Sequence, residues 1–168
     1  DTVDGGGAND VLAGGVGLDS LTGGAGDDTV TGGAGFDKMG GGAGADTFVF
    51  AASESGVVIV SGDVEGGPGA KSGSINANGK LTSVKIDGSL LGNIGAESGR
   101  VSSSLDLGAV TIGGDVIAGN GGSSDNSGAI FTLGKLASVT FNGRLEGGNK
   151  KLGGAILSSL AMGPVIVK

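Results

Sequence analysis

The chain has 168 residues, 41 of them glycine and 2 proline, with no cysteine, histidine, tryptophan or tyrosine. Glycine at that level, without a triplet period or abundant proline, excludes a collagen-like rod, and the missing residues exclude disulfide frameworks and zinc sites of the Cys/His kind. The net charge of −7 lies wholly in residues 1–50, where eight carboxylates stand against Lys38 alone, while nine acids balance nine bases in residues 51–168. This asymmetry disfavours nucleic acid and anionic membranes as partners and invites cations.

No apolar run is long enough to span a bilayer and no signal peptide opens the chain. Both ends interrupt a repeating pattern, so the sequence is expected to be a piece of something longer. From the first residue aspartates recur every nine positions, at Asp1, Asp10, Asp19, Asp28, Asp37 and Asp46. The last five close the glycine-rich loops Gly5–Asp10, Gly14–Asp19, Gly23–Asp28, Gly32–Asp37 and Gly41–Asp46. Two residues after each aspartate comes an apolar side chain: Val3, Leu12, Leu21, Val30, Met39 and Phe48. Glycine at fixed places between apolar residues marks tight turns that need positive φ. Plain glycine turns would not require aspartate at every ninth position.

This register resembles the nonapeptide repeat G-G-x-G-x-D-x-U-x of the calcium-binding RTX proteins, over residues 1–50. The resemblance implies a parallel β-roll of two sheets in which two nonapeptides complete one turn. Asp10, Asp28 and Asp46 would then stack in one column and Asp1, Asp19 and Asp37 in the other. Neighbouring strands lie about 4.8 Å apart, where two unit charges repel by roughly 1–3.5 kcal/mol at effective dielectrics of 80 to 20. Calcium relieves that repulsion, because it takes six to eight oxygen ligands and accepts carbonyls as readily as carboxylates. Magnesium fits less well, since it demands near-octahedral geometry and keeps its waters.

In the family each ion sits between loops one coil apart, held by loop carbonyls and the terminal carboxylates. Carried onto this chain, several Ca2+ ions would join the loops ending at Asp10 and Asp28, at Asp19 and Asp37, and at Asp28 and Asp46. The implied carbonyl donors lie at Gly14, Gly15 and Gly17, at Gly23, Gly24 and Gly26, and at Gly32, Gly33 and Gly35. Ala8 stands where the fourth-position glycine belongs and weakens the site using its loop. Asp4 and Asp27 are off register and are expected to be solvated.

Residues 51–57 form a junction, and from 58 to 168 a longer period takes over. Ser72-Gly73-Ser74-Ile75 aligns with Ser98-Gly99-Arg100-Val101, Ser127-Gly128-Ala129-Ile130 and Gly153-Gly154-Ala155-Ile156, at successive offsets of 26, 29 and 26. The same offsets align Leu81, Leu107, Leu136 and Met162, and the pairs Val84/Ile86, Val110/Ile112, Val139/Phe141 and Val165/Val167. One period earlier, Val58, Val60, Gly62 and Val64 match Val84, Ile86, Gly88 and Leu90. The extra residues of the middle copy fall in polar Gly119–Asn126, as a surface-loop insertion should. Alternating β-branched residues punctuated by Gly, Asn and Ser predict strands, about three per repeat, stacked as a parallel β-helix. The fold class is therefore all-β, a β-solenoid throughout.

Charges in this half pair between rungs. Lys80, Asp106 and Lys135 share a column, Asp115 stands beside Arg144, and Lys71 precedes Glu97. Such pairs read as exposed ladder contacts rather than catalytic carboxylates. The expected function is a non-catalytic, calcium-stabilised extracellular solenoid within a larger secreted bacterial surface protein or filament, with structural or adhesive use. End-to-end self-association or extracellular polysaccharide are the expected partners. The alternatives are an accessory calcium-binding region of a secreted polysaccharide-active enzyme or protease, and an engineered fusion at the abrupt change of period.

Overall fold

The computed structural model describes residues 1–35, 37–44, 46–50, 55–60, 63–66, 73–119, 127–148 and 154–168. Phe36, Ala45, Gly62, Lys71, Ser72, Gly153, most of the 51–57 junction and nearly all of the 119–126 insertion lie outside them. Among the described residues there is no helix, and every ladder between strands is parallel.

In the acidic part, β1 (Thr2–Gly7), β3 (Ser20–Ala25) and β5 (Lys38–Ala43) make one sheet. The facing strands are β2 (Val11–Gly17), β4 (Thr29–Gly35) and β6 (Thr47–Phe50). Thr2 pairs with Ser20 and Ser20 with Lys38, while Val11 pairs with Thr29 and Thr29 with Thr47. Each register step spans two nonapeptides, so a single repeat makes one strand and its loop. Leu12, Leu21, Val30, Met39 and Phe48 are buried as one file between the sheets. This is the two-sheet β-roll the repeat implied.

The second part adds β7 (Ser55–Val60), β8 (Val64–Glu65), β9 (Ile75–Ala77), β10 (Lys80–Ile86) and β11 (Leu90–Leu91). It continues through β12 (Val101–Ser103), β13 (Leu107–Ile112), β14 (Val116–Ile117), β15 (Ile130–Thr132) and β16 (Leu136–Phe141). β17 (Leu145–Glu146), β18 (Ile156–Ser158) and β19 (Val165–Val167) complete the last rungs. Strands β7, β10, β13, β16 and β19 form one sheet, and β8, β11, β14 and β17 a second. Strands β9, β12, β15 and β18 extend the β2-β4-β6 sheet to seven strands. The two solenoids are thus joined: Phe48 pairs with Ile75, and a single apolar core runs from Leu12 to Phe141.

Among the described residues the alternating pattern lines three buried walls. Ile75, Val101 and Ile130 fill one side, Val84, Val110 and Val139 the next, and Val64, Leu90 and Val116 the third. Pairing of Val101 with Ile75, Val101 with Ile130 and Ile130 with Ile156 reproduces the three offsets read from the sequence. Where the helix begins, β10 bulges between Leu81 and Ser83, because Gly56 pairs with Leu81 but Val57 with Ser83.

One corner carries the turn chemistry. Gly73, Gly99, Gly128 and Gly154 all hold φ between 53° and 63°. A Cβ at Gly128 would stand 2.6 Å from the carbonyl carbon of Ile117 and against its oxygen. The buried hydroxyls of Ser98 and Ser127 accept from the amides of Asn93 and Gly119, at 3.0 and 3.1 Å. At the next corner Ser103 and Ser158 donate to the carbonyls of Gly79 and Gly134, at 2.7 and 2.8 Å.

Gly128→Ala is therefore expected to lower stability by about 1–3 kcal/mol, combining left-handed strain with a backbone overlap. Ser159→Ala, at an exposed turn, should stay within about 0.5 kcal/mol. Thermal or urea unfolding of the two variants checks this.

Candidate metal centre

The nine-residue clock places each loop aspartate at the edge between two strands, turned inward. Asp19, Asp28, Asp37 and Asp46 are at most 4 % exposed, Asp10 is half-buried, and Asp1 is exposed at the end of the stack. One carboxylate oxygen of each buried aspartate is spoken for by the adjacent coil. Asp28 Oδ1 accepts from the Asp10 amide at 2.8 Å, and Asp46 Oδ1 from the Asp28 amide at 3.0 Å. In the other column Asp37 Oδ1 accepts from the Asp19 amide at 3.0 Å, and Asp19 Oδ1 from the Asp1 amino group at 2.5 Å. The two expected columns are therefore present.

The second oxygens of Asp19, Asp28 and Asp46 have no such partner, nor has that of Asp10. Oδ2 of Asp10, Asp19, Asp28 and Asp46 is buried without a hydrogen bond. Leaving one buried polar atom unsatisfied costs about 1–3 kcal/mol, and more for a charged group. These oxygens share a direction with carbonyls of the next coil, across the first glycine of each loop. A Cβ at Gly5 would lie 2.8 Å from Asp10 Oδ2 and 2.6 Å from Gly23 O. At Gly14 it would lie 2.6 Å from Asp19 Oδ2 and overlap Gly32 O. At Gly23 it would overlap Asp28 Oδ2 and lie 2.6 Å from Gly41 O. Only a glycine leaves the space between carboxylate and carbonyl open.

These contacts bring together the loops ending at Asp10 and Asp28, at Asp19 and Asp37, and at Asp28 and Asp46. Gly23 and Gly32 present their carbonyls at these points, and Gly14 leaves the opening. Gly15, Gly24 and Gly33, and Gly17, Gly26 and Gly35, hold positive φ between 102° and 150°. A Cβ at Gly24, Gly26, Gly33 or Gly35 would overlap the carbonyl oxygen one coil below. Ala8 lacks the positive φ of Gly17, Gly26 and Gly35, so the first loop departs from the others in conformation as well as in residue. Gly41 was missed as a donor by sequence reasoning, although its loop repeats the same register. Asp4 and Asp27 are exposed, and the Asp27 amide donates to Asn9 Oδ1 at 2.9 Å.

Among the described residues no three Asp, Glu, His or Cys side chains converge on one point. A bound cation would therefore draw most of its ligands from backbone carbonyls. Orphaned carboxylate oxygens, converging carbonyls and no nitrogen or sulfur ligand fit a hard, oxygen-seeking ion such as calcium. Burial pushes the Asp46 carboxyl above its usual value of 3.8; the Asp28 amide opposes the rise, and the Asp28 and Asp27 carboxylates add to it.

Comparison with protein families agrees with this geometry. The RTX calcium-binding nonapeptide repeat, in a description of four copies, matches residues 4–39 and 14–48. Residues 4–48 are thus an RTX array, and repeats of this family bind calcium. Comparison with curated proteins and with solved structures gives no match.

Asp28→Ala should lower calcium stoichiometry and affinity more than Asp4→Ala, because Asp28 bonds to the coils on both sides and offers an unpaired oxygen. Isothermal titration of both variants tests this; equal values for the two would contradict the register. A second outcome concerns pH. A raised folded pKa means that the proton on Asp46 stabilises the metal-free fold fully below 3.8, and that this contribution is lost as pH rises through the folded value. Calcium requires the deprotonated form, so binding releases protons. In chelator, the roll should lose order as pH rises above 3.8 and through the folded value, and Asp46→Asn should reduce that loss. Circular dichroism across the range checks it; identical profiles for the two proteins would contradict it.

Proposed function

We propose that this chain is a non-catalytic extracellular module, a calcium-stiffened β-solenoid serving a structural or adhesive role in a larger secreted surface protein or filament. The observation that supports it most is the set of buried carboxylate oxygens without partners, all in the acidic roll. Such an array is soft where calcium is scarce and sets where calcium is plentiful, which suits a protein exported before it folds. RTX repeat proteins are typically secreted, and this agrees with that order of events.

The absence of catalysis is supported by how the charges of the second part are spent. Arg144 pairs with Asp115 at 3.3 Å and with Glu146 at 3.4 Å, and its amide donates to Asp115 Oδ1 at 2.7 Å. The Asp115 carboxyl is held below its usual range, first by that amide bond and then by the guanidinium. Asp106 accepts from the Lys135 amide at 2.9 Å, so the expected column forms through the backbone. Glu97 pairs within its own rung, with Arg100 at 3.0 Å, and its expected neighbour Lys71 lies outside the described residues. Carboxylates held this way act as ladder fasteners.

End-to-end association of copies is proposed as the partner interaction of this solenoid.

Far-ultraviolet circular dichroism with calcium and with a chelator tests the proposal. Strand signal from residues 1–50 should vanish on chelation, while that of the helix persists on its own apolar files. An unchanged spectrum, with no metal found by elemental analysis, would reject it.

A further inference from the structure

The outer face of the seven-stranded sheet carries a groove of about 370 Å³ lined by Asn76, Asn78, Glu97, Arg100, Ser102 and Phe131, among others. Arg100 interrupts a file of small side chains, Ser74 one rung before and Ala129 one rung after. Its side chain is only 11 % exposed, its guanidinium carbon lies 5.0 Å from the centre of the Phe131 ring, and its Nη1 lies 3.0 Å from Glu97 Oε2. Its Nε is buried without a partner. Burial pulls the guanidinium below its usual pKa, and Glu97 opposes that shift.

Glu97 is itself held in an unusual state. Among the described residues it is the one non-glycine with positive φ, at 57°. Backbone strain at such a residue persists only where the surroundings over-determine it, and it clusters at binding sites. Beside the pair, Ser102 Oγ donates to Asn76 Oδ1 at 2.6 Å, and Asn76 Nδ2 donates to Ser74 Oγ at 2.6 Å. The polar groups are therefore ordered in advance, which lowers the entropic cost of binding.

The chemistry of the lining selects the ligand. Among the described lining residues one buried cation and one carboxylate balance, so neither an anionic nor a cationic ligand gains from their net charge. Peptide capture by strand addition needs a free sheet edge, and this groove lies on the sheet's face. What remains is a ligand rich in both donors and acceptors, with an apolar face to set beside an aromatic ring. We infer that the groove binds a neutral saccharide chain. This site deepens the adhesive reading above and rests on it, while its test is separate from that of calcium.

The test uses the full calcium-loaded chain on an array of neutral hexasaccharides of glucose, mannose and galactose, with oligogalacturonate as an anionic comparison, followed by calorimetric titration of the ligands found. At least one neutral glycan should bind, and Arg100→Ala and Phe131→Ala should each weaken it about tenfold or more. Asn78→Ala, at an exposed position, should weaken binding without altering the fold, and it carries the test if Arg100→Ala fails to fold. The inference is overturned if no neutral glycan binds, if oligogalacturonate alone binds, or if Phe131→Ala and Asn78→Ala bind as the parent does. Calcium-dependent folding with no glycan bound would remove this inference alone and leave the calcium reading standing.

Discussion

Asp19 and Asp28 each divide their two oxygens between two tasks, and the structure of the acidic part depends on that division. Oδ1 takes the amide of the coil below, as Asp28 does for Asp10 and Asp46 for Asp28, so the carboxylate fixes the stacking register. Oδ2 faces a carbonyl of the coil above across a glycine that leaves the gap open. Two electron-rich oxygens turned toward one point repel each other, and the same arrangement is the start of a calcium shell. The roll has one apolar side chain per strand to hold its sheets together, so the ion supplies cohesion that the core lacks.

The second solenoid fixes its stacking through a different set of side chains. There the ladder runs the other way: Asp63 Oδ1 accepts from the Ser89 amide, Ser89 Oγ from the Asp115 amide, and Asp115 Oδ1 from the Arg144 amide. In the roll the carboxylate belongs to the later coil, and in the helix the side chain belongs to the earlier rung. Apolar files on three walls replace the roll's single layer, and buried hydroxyls such as Ser103 and Ser127 tie the corners. The shared sheet and continuous core join the roll to the helix, with Phe48 against Ile75 at the boundary.

Much of this was legible in residue spacing. The period of nine announced two strands per coil, and the longer period foretold pairings such as Leu81 with Leu107 and Leu107 with Leu136. Repeats are readable because a misaligned rung would bury a polar side chain and expose an apolar one. The groove around Arg100 was not legible, because Phe131 meets the Glu97–Arg100 pair only through the stacking of adjacent rungs, with no spacing motif to announce it. The Gly41 carbonyl was legible in principle, since its loop repeats the register of those beginning at Gly14, Gly23 and Gly32. The extension of the roll's sheet through β9 was hidden by the change of period, which conceals that Phe48 and Ile75 occupy one file.

The central claim is that the orphaned oxygens are halves of calcium cages. Crystals of the full chain grown in calcium, with anomalous difference density collected at long wavelength, address it most directly. The account predicts peaks between Asp10 Oδ2 and Gly23 O, between Asp19 Oδ2 and Gly32 O, and between Asp28 Oδ2 and Gly41 O. Water alone at those three positions, or calcium held only on the outer faces of the sheets, would contradict it.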